Sequence, residues 1–268
     1  METMGRIAER FAALASRNEK ALVPFVLAGD PSLEDLPGIL DALAVAGADV
    51  IEVGIPFSDP IADGPTIQAA DQRALDRGVT PTMVLDTLAR WGRSEGPPIV
   101  LMGYLNPILR MGLDEFAARA AASGCSGTIV SDLTPEESGE WREASRRAGL
   151  DTIFLAAPTS TDERLDIVCQ SSTGFVYAIS RTGVTGAAQA APPEVTDLVR
   201  RIKARTDRVV CVGFGISRPE QVAMVCQAAD GAVVGSWLVD RLASDWNGGA
   251  GRGRLIDDVR KLKAATRG

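Results

Sequence analysis

Eight short apolar runs, each followed by a longer segment, are the feature that most limits how this 268-residue chain can fold. The runs are rich in valine, isoleucine and leucine, and they do not alternate apolar with polar residues. Such runs are typical of strands that are covered on both faces, which favours a parallel sheet. The predicted strands are 21–29, 48–54, 98–104, 127–132, 151–157, 174–180, 208–215 and 231–236.

The segments between these runs place apolar residues at helical spacing. A similar segment, 4–17, precedes the first run and predicts an additional N-terminal helix. About eight β/α units in a chain of this length predict a (β/α)8 TIM barrel, and a doubly wound open sheet is the alternative. Because no linker or shift of composition divides the chain, we expect one domain, 1–268. Residues 245–254 are rich in glycine and are predicted to form a flexible loop before a last helix.

The composition argues against binding to nucleic acids or membranes. The formal net charge is −7 and only 5% of residues are aromatic, whereas nucleic-acid binders need a basic face or stacking rings. No run approaches the ~18 apolar residues of a membrane span. The four cysteines lack CxxC spacing and are expected to be buried thiols of a reduced, cytoplasmic protein. Histidine is absent, so no metal site is predicted.

The string VIEVGIPFSDPIADGPTIQ, residues 50–68, contains several acids. In a chain without histidine, such acids are the candidates for proton transfer if the protein is an enzyme. Active sites of such barrels lie at the C-terminal ends of strands, which places Glu52 at the barrel mouth. Burial disfavours a charged carboxylate, so the pKa of Glu52 is expected to rise toward that of a working general acid/base. The alternative is a structural glutamate that pairs with a lysine or with backbone N–H groups.

Two further acids lie on the loop after that strand. Asp63 stands between Pro60 and Pro65 and is either a functional group or the cap of a following helix. Asp59 precedes a proline, a pattern typical of a turn.

Three turns that contain glycine follow the last three predicted strands. SRTGVTGAA, 180–188, has the composition of a movable lid. GFGIS, 213–217, and GS, 235–236, lie where barrels often bind phosphate, and close backbone approach requires residues without bulky side chains. The alternative is that these glycines only turn the chain. The phosphate-site candidates from this pattern are Gly213, Gly215, Gly235 and Ser236.

The chain resembles the α subunit of tryptophan synthase. The matching strings run in order along nearly the whole chain, and E-x-G-x-P-F-S-D-P-x-A-D-G-P is the most specific of them. They are PFVLAGDP (24–31), IEVGIPFSDPIADGPTIQAA (51–70), MGYLNPIL (102–109), APTS (157–160), SRTGVTGA (180–187) and GFGIS (213–217).

The resemblance implies a lyase that cleaves indole-3-glycerol phosphate to indole and glyceraldehyde 3-phosphate in tryptophan biosynthesis. Glu52 matches the general acid/base, which removes the proton of the glycerol hydroxyl and protonates indole C3. Asp63 matches the aspartate that accepts a hydrogen bond from the indole N–H and stabilises the positive intermediate. The other matches are the indole-pocket residues Phe25 and Tyr177, the phosphate-binding residues Gly186, Gly215, Gly235 and Ser236, and the lid threonine Thr185.

The resemblance also implies an α2β2 complex, in which a β subunit carries pyridoxal phosphate and takes the indole, while this chain needs no cofactor. Two positions depart from the usual family pattern: Thr134 stands where proline is usual, and Trp237 replaces a small residue. A free-standing lyase that releases indole for another pathway is the main competing hypothesis. The intact acids argue against a non-catalytic activating subunit, and the full set of motifs argues against a different phosphate-binding barrel.

Overall fold

The predicted parallel sheet is present in the computed structural model, which describes residues 4–92, 95–179, 193–213 and 215–267. All strand pairings within the sheet of the described residues are parallel. The strands are β1 Ala21–Leu27, β2 Ile51–Gly54, β3 Ile99–Gly103, β4 Cys125–Val130, β5 Asp151–Ile153, β6 Leu155–Ala156, β7 Val176–Ile179, β8 Val210–Gly213 and β9 Gly231–Val234. Their order is β5-β4-β3-β2-β1-β9-β8-β7-β6.

The fifth predicted strand, 151–157, explains why nine segments are found where eight runs were predicted. It is divided into β5 and β6, which are separated only by Phe154 and form the two ends of the strand order. β5 pairs with β4 and β6 pairs with β7, so one short stretch of chain joins both ends of the sheet. The sheet therefore forms the predicted (β/α)8 barrel, and the open-sheet alternative is wrong.

Twelve α-helices are found in the described residues, mostly where the sequence pattern predicts them. They are α1 Arg6–Ala15, α2 Leu36–Ala46, α3 Pro65–Asp76, α4 Pro81–Trp91, α5 Leu105–Met111, α6 Leu113–Ala122, α7 Gly139–Ala148, α8 Asp162–Ser171, α9 Pro193–Lys203, α10 Pro219–Cys226, α11 Ser236–Asp245 and α12 Arg252–Ala264. The loop predicted at 245–254 is shorter than expected, because α11 and α12 take both of its ends and a 3-10 turn, Asn247–Gly249, lies between them. In the described part of the chain, no helix is long and apolar enough to cross a membrane.

Helix α1 closes the barrel at the amino-terminal ends of the strands. Its apolar residues Ile7, Phe11 and Leu14 recur at helical spacing and are buried among the inward side chains of the strands. Phe11, for example, lies 6.2 Å from the ring of Phe175 just before β7. Because this end is filled by apolar packing, the opposite rim is the end available to a ligand.

Helix α12 is held to the start of β1 by a buried ion pair. The Nζ atom of Lys263 lies 2.9 Å from Oδ2 of Asp49 and 3.1 Å from the carbonyl oxygen of Lys20. The same Asp49 oxygen accepts a hydrogen bond from the backbone N–H of Leu22, at 2.8 Å. A buried pair of this kind stabilises the fold only while both partners are present.

We therefore expect Lys263→Ala to lower the free energy of unfolding by about 3–5 kcal/mol, because it leaves the Asp49 carboxylate buried without its cation. Urea unfolding measures this loss. Lys261→Ala is the matched control, since Lys261 is exposed on the same helix and, among the described residues, pairs with the nearby Asp258 alone. The control should change stability by less than about 0.5 kcal/mol. Equal effects of the two substitutions would contradict the stabilising role of the buried Lys263–Asp49 pair.

Candidate active site

Glu52 lies in β2, in register with Phe25 of β1 and Val100 of β3. Its side chain is fully buried, and neither carboxylate oxygen has a hydrogen-bond partner among the described residues. Burial without a partner raises the pKa of Glu52 from 4.5 to about 8. At neutral pH this carboxyl therefore holds its proton. The pairing expected of a structural glutamate, with lysine or with backbone N–H groups, is not found in the described part of the chain.

Glu52 lines a cavity of about 170 Å³ at the carboxyl ends of the strands. Its lining combines apolar side chains, a second acid, and several glycines with one serine. The lining residues are Phe25, Glu52, Ala62, Asp63, Gly64, Ile67, Met102, Tyr177, Gly213, Gly215, Val233, Gly235 and Ser236. Of the predicted site residues, all but two are thus brought together in this cavity; Thr185 and Gly186 lie outside the described residues.

Asp63 is held at the rim by a tyrosine that directly follows the next strand, β3. The hydroxyl of Tyr104 donates a hydrogen bond to Oδ2 of Asp63 at 2.6 Å and accepts one from the backbone N–H of Ala62 at 3.1 Å. Partial burial raises the pKa of Asp63, and the Tyr104 hydrogen bond opposes that rise. Asp63 does not cap α3, whose N-cap is Gly64 and has no side-chain hydrogen bond. The carboxylate is therefore oriented by Tyr104 toward the site.

Two glycines make room for the aromatic walls of the cavity. A Cβ atom on Gly54 would lie 2.7 Å from the Phe25 ring, and one on Gly213 would overlap the hydroxyl of Tyr177. Phe25 and Tyr177 can lie over the ends of β2 and β8 only because no side chain is present there. Gly213 therefore makes room for the Tyr177 ring, in addition to its place in the predicted phosphate turn.

The start of α11 forms a polar corner of the same cavity. Gly235 precedes the helix and Ser236 is its first residue, while Gly215 adopts a positive φ of 63° after β8. The first N–H groups of a helix lack intrahelical partners and carry the positive end of its dipole. These donors suit an anion such as phosphate.

A sequence model of the tryptophan synthase alpha chain matches residues 11–267. The chain belongs to this family. The tryptophan synthase alpha chain of Carboxydothermus hydrogenoformans is 48% identical over 237 residues, which cover 88% of this chain and 89% of the relative. That of Solibacter usitatus is 44% identical over 260 residues, which cover 97% of both.

Solved structures of the family have the same fold as this chain. The tryptophan synthase alpha subunit from Legionella pneumophila strain Paris superposes with a TM-score of 0.90 at 34% identity, covering 98% of this chain and 99% of that structure. A structure of Mycobacterium tuberculosis tryptophan synthase gives a TM-score of 0.87 at 38% identity, covering 99% of this chain and 99% of the matched chain.

Sequence reasoning missed two residues near the site, Tyr104 and Asp71. Tyr104 directly follows β3, and that position at the barrel rim was the available signal. Asp71 lies among the buried apolar residues of α3, where a carboxylate is unusual. Asp59, by contrast, is exposed as a turn residue and accepts a hydrogen bond from the Ser58 hydroxyl at 2.6 Å.

We expect Glu52→Gln to stabilise the fold, and the gain to grow with pH. The folded-state pKa of about 8 exceeds the ordinary 4.5, so the native chain keeps a proton that the unfolded chain releases between these values. Wild-type stability should therefore fall across this window, with a limiting slope of about 1.4 kcal/mol per pH unit that the amide abolishes. Urea unfolding near pH 5 and near pH 9 tests this. The same difference at both would show that Glu52 is not desolvated.

Proposed function

We propose that Glu52 and Asp63 catalyse the reaction of the tryptophan synthase alpha family in this chain, the retro-aldol cleavage of indole-3-glycerol phosphate to indole and glyceraldehyde 3-phosphate. The observation that supports this best is the Glu52 carboxyl, which is buried without a partner and has a pKa near 8. It faces a cavity that also contains a second acid and a corner suited to an anion.

Glu52 is proposed to move both protons of the reaction. Cleavage breaks the bond between indole C3 and the adjacent glycerol carbon, whose hydroxyl becomes the aldehyde. A carboxyl that is protonated in the free site can give its proton to C3, and the resulting carboxylate then takes the hydroxyl proton as the bond breaks. The glutamate ends as it began, and no external acid is consumed.

Asp63 is proposed to balance the charge that this proton transfer creates. Protonation at C3 leaves the indole ring positive, with its N–H as a strong donor. A carboxylate at the rim accepts that N–H and lowers the energy of the cation. Tyr104 supports this role, because its hydroxyl holds one Asp63 oxygen and leaves the other for the ring.

The polar corner at the start of α11 is proposed to orient the substrate. Gly215, Gly235 and Ser236 would bind the phosphate through backbone donors and one hydroxyl, while Phe25 and Tyr177 would enclose the indole. For Gly186 and Thr185, a phosphate contact and a lid contact to Asp63 stay predictions from the family resemblance.

A β subunit that carries pyridoxal phosphate is the proposed partner, in an α2β2 complex, and this chain is proposed to need no cofactor. Two exposed apolar residues at the active-site end of the barrel support a partner there: Ile61 is 85% exposed on the loop that carries Asp63, and Leu109 is 52% exposed on α5. We further propose a cytoplasmic location, which suits the four free cysteines, and a single domain over 1–268, since α1 and α12 pack on the same barrel.

Glu52→Gln is expected to lower kcat by at least about 10²-fold, because the amide keeps the shape but cannot exchange a proton. Asp63→Asn should cost about 10²–10³-fold, through loss of the counter-charge. Release of glyceraldehyde 3-phosphate from indole-3-glycerol phosphate measures both. Asp59→Asn, an exposed acid on the same loop, is the control and should stay close to wild type. Wild-type turnover by Glu52→Gln would refute the assignment.

The isolated chain is expected to be a slow lyase that a β subunit accelerates, raising kcat more than it lowers KM. A partner that covers Ile61 would keep water away from the rim where Asp63 lies and shift the population toward a closed, competent site. Steady-state kinetics of the purified chain, alone and with a saturating β chain, decide this. Full activity alone, with no response to a β chain, would instead favour the free-standing lyase.

A further inference from the structure

Asp71 is a buried acid that the mechanism above does not use. It lies on α3, is only 3% exposed, and accepts a hydrogen bond at Oδ1 from the backbone N–H of Phe57, at 3.1 Å. Its other oxygen, Oδ2, is buried and has no hydrogen-bond partner among the described residues. Burying a carboxyl oxygen without a hydrogen-bond partner costs free energy of folding. A role in the active site would explain why an acid occupies this position.

A continuous set of contacts runs from Asp71 to Asp63. The ring of Phe57 stacks on the ring of Tyr104, with centroids 4.8 Å apart and an interplanar angle of 21°. The Tyr104 hydroxyl then donates to Asp63 and accepts from the N–H of Ala62. The loop between β2 and α3 is thus fixed near its start by Asp71 and near its end by Tyr104.

We propose that Asp71 is a positioning residue for Asp63, acting through the Phe57 backbone and the stacked ring of Tyr104. Helix α3 follows the loop directly and packs against β1 and α11, so it gives Asp71 a fixed base. Without the hydrogen bond from Phe57, the stacked pair loses its anchor and the Asp63 carboxylate loses its orientation. This inference rests on the function proposed above for Asp63.

The charges around Asp71 indicate what kind of group the position needs. Burial is the main cause that raises the pKa of Asp71 to about 7; the hydrogen bond from Phe57 opposes the rise, and the negative charge of Asp63 adds to it. Tyr104 is the other titratable group that faces it. The nearby cation Arg73 is engaged elsewhere, in a two-point bond to Asp30 at 2.8 Å. Asp240 of α11 acts on Arg73 as well.

A neutral acceptor should therefore serve as well as the carboxylate. Asparagine at this position keeps an oxygen for the Phe57 N–H, whereas alanine removes it. The experiment compares Asp71→Asn and Asp71→Ala in the cleavage of indole-3-glycerol phosphate. Asp76→Ala is the matched control, because Asp76 is an exposed acid on the same helix whose side chain, within the described ranges, bonds to Gln72 alone.

We expect Asp71→Ala to lower kcat about tenfold or more, since small misplacements of a reacting group are costly. KM should stay within about twofold of the wild-type value, because the phosphate corner lies on other elements. Asp71→Asn and Asp76→Ala should keep the wild-type kcat. An alanine variant with wild-type kcat, or an asparagine variant as slow as the alanine variant, would overturn the inference.

A second measurement separates positioning from loss of folding. Tyr104→Phe removes the hydroxyl that holds Asp63 but keeps the stacked ring, and it should lower kcat to a similar degree. If both residues act on Asp63 along one route, the double variant with Asp71→Ala loses little more than either single variant. Additive losses would contradict the inference. Should Asp71→Ala not fold, Asp71→Ser replaces it, since its hydroxyl is too short to reach Phe57.

Asp63→Asn serves as the reference for the proposed function itself. If that variant is inactive while Asp71→Ala is fully active, the role of Asp63 stands and only the positioning inference is wrong. If Asp63→Asn is fully active, the role proposed for Asp63 is wrong, and the positioning inference for Asp71 fails with it, whatever the Asp71 variants do.

Discussion

Parallel pairing around a closed sheet determines where chemistry can occur in this molecule. Residues 151–156 pair with β4 on one side and with β7 on the other, and so complete the ring of strands. In a parallel ring every carboxyl end lies on the same rim. Helix α1 fills the other end with apolar side chains. The acids, the aromatic walls and the glycine turns consequently share one cavity, although they are distant in the sequence.

The barrel interior determines the acid–base properties of Glu52 more than any single neighbour does. No cation or N–H group among the described residues compensates its charge, so desolvation alone raises its pKa. Asp63 differs, because Tyr104 donates a hydrogen bond to it and so opposes the rise in pKa that burial causes. Burial thus raises the pKa of both carboxyls, but a hydrogen bond opposes the rise only at Asp63, which suits the acid/base and counter-charge roles proposed for them. Both features depend on the strands holding these groups in fixed register.

Much of the fold and of the site could be predicted from the sequence, because apolar runs and family motifs are local signals. The eight runs, the leading helix and the position of Glu52 within a buried strand needed no tertiary information. The division of the fifth run at Phe154 could not be seen, since ring closure bends a strand that looks continuous. Tyr104 and Asp71 were missed for a related reason: their importance lies in contacts across elements, which spacing along the chain does not reveal.

The pairing of β1 with β9 has a consequence for synthesis on the ribosome. Residues 21–24 of β1 find their partners at 231–234, so about 200 residues must be made before that edge is covered. Until then one side of β1, an entirely buried apolar strand in the finished barrel, stays open to other chains. The growing chain therefore carries an aggregation-prone edge for most of its synthesis, and its yield in a cell depends on protection of that edge during this interval as well as on the stability of the finished barrel.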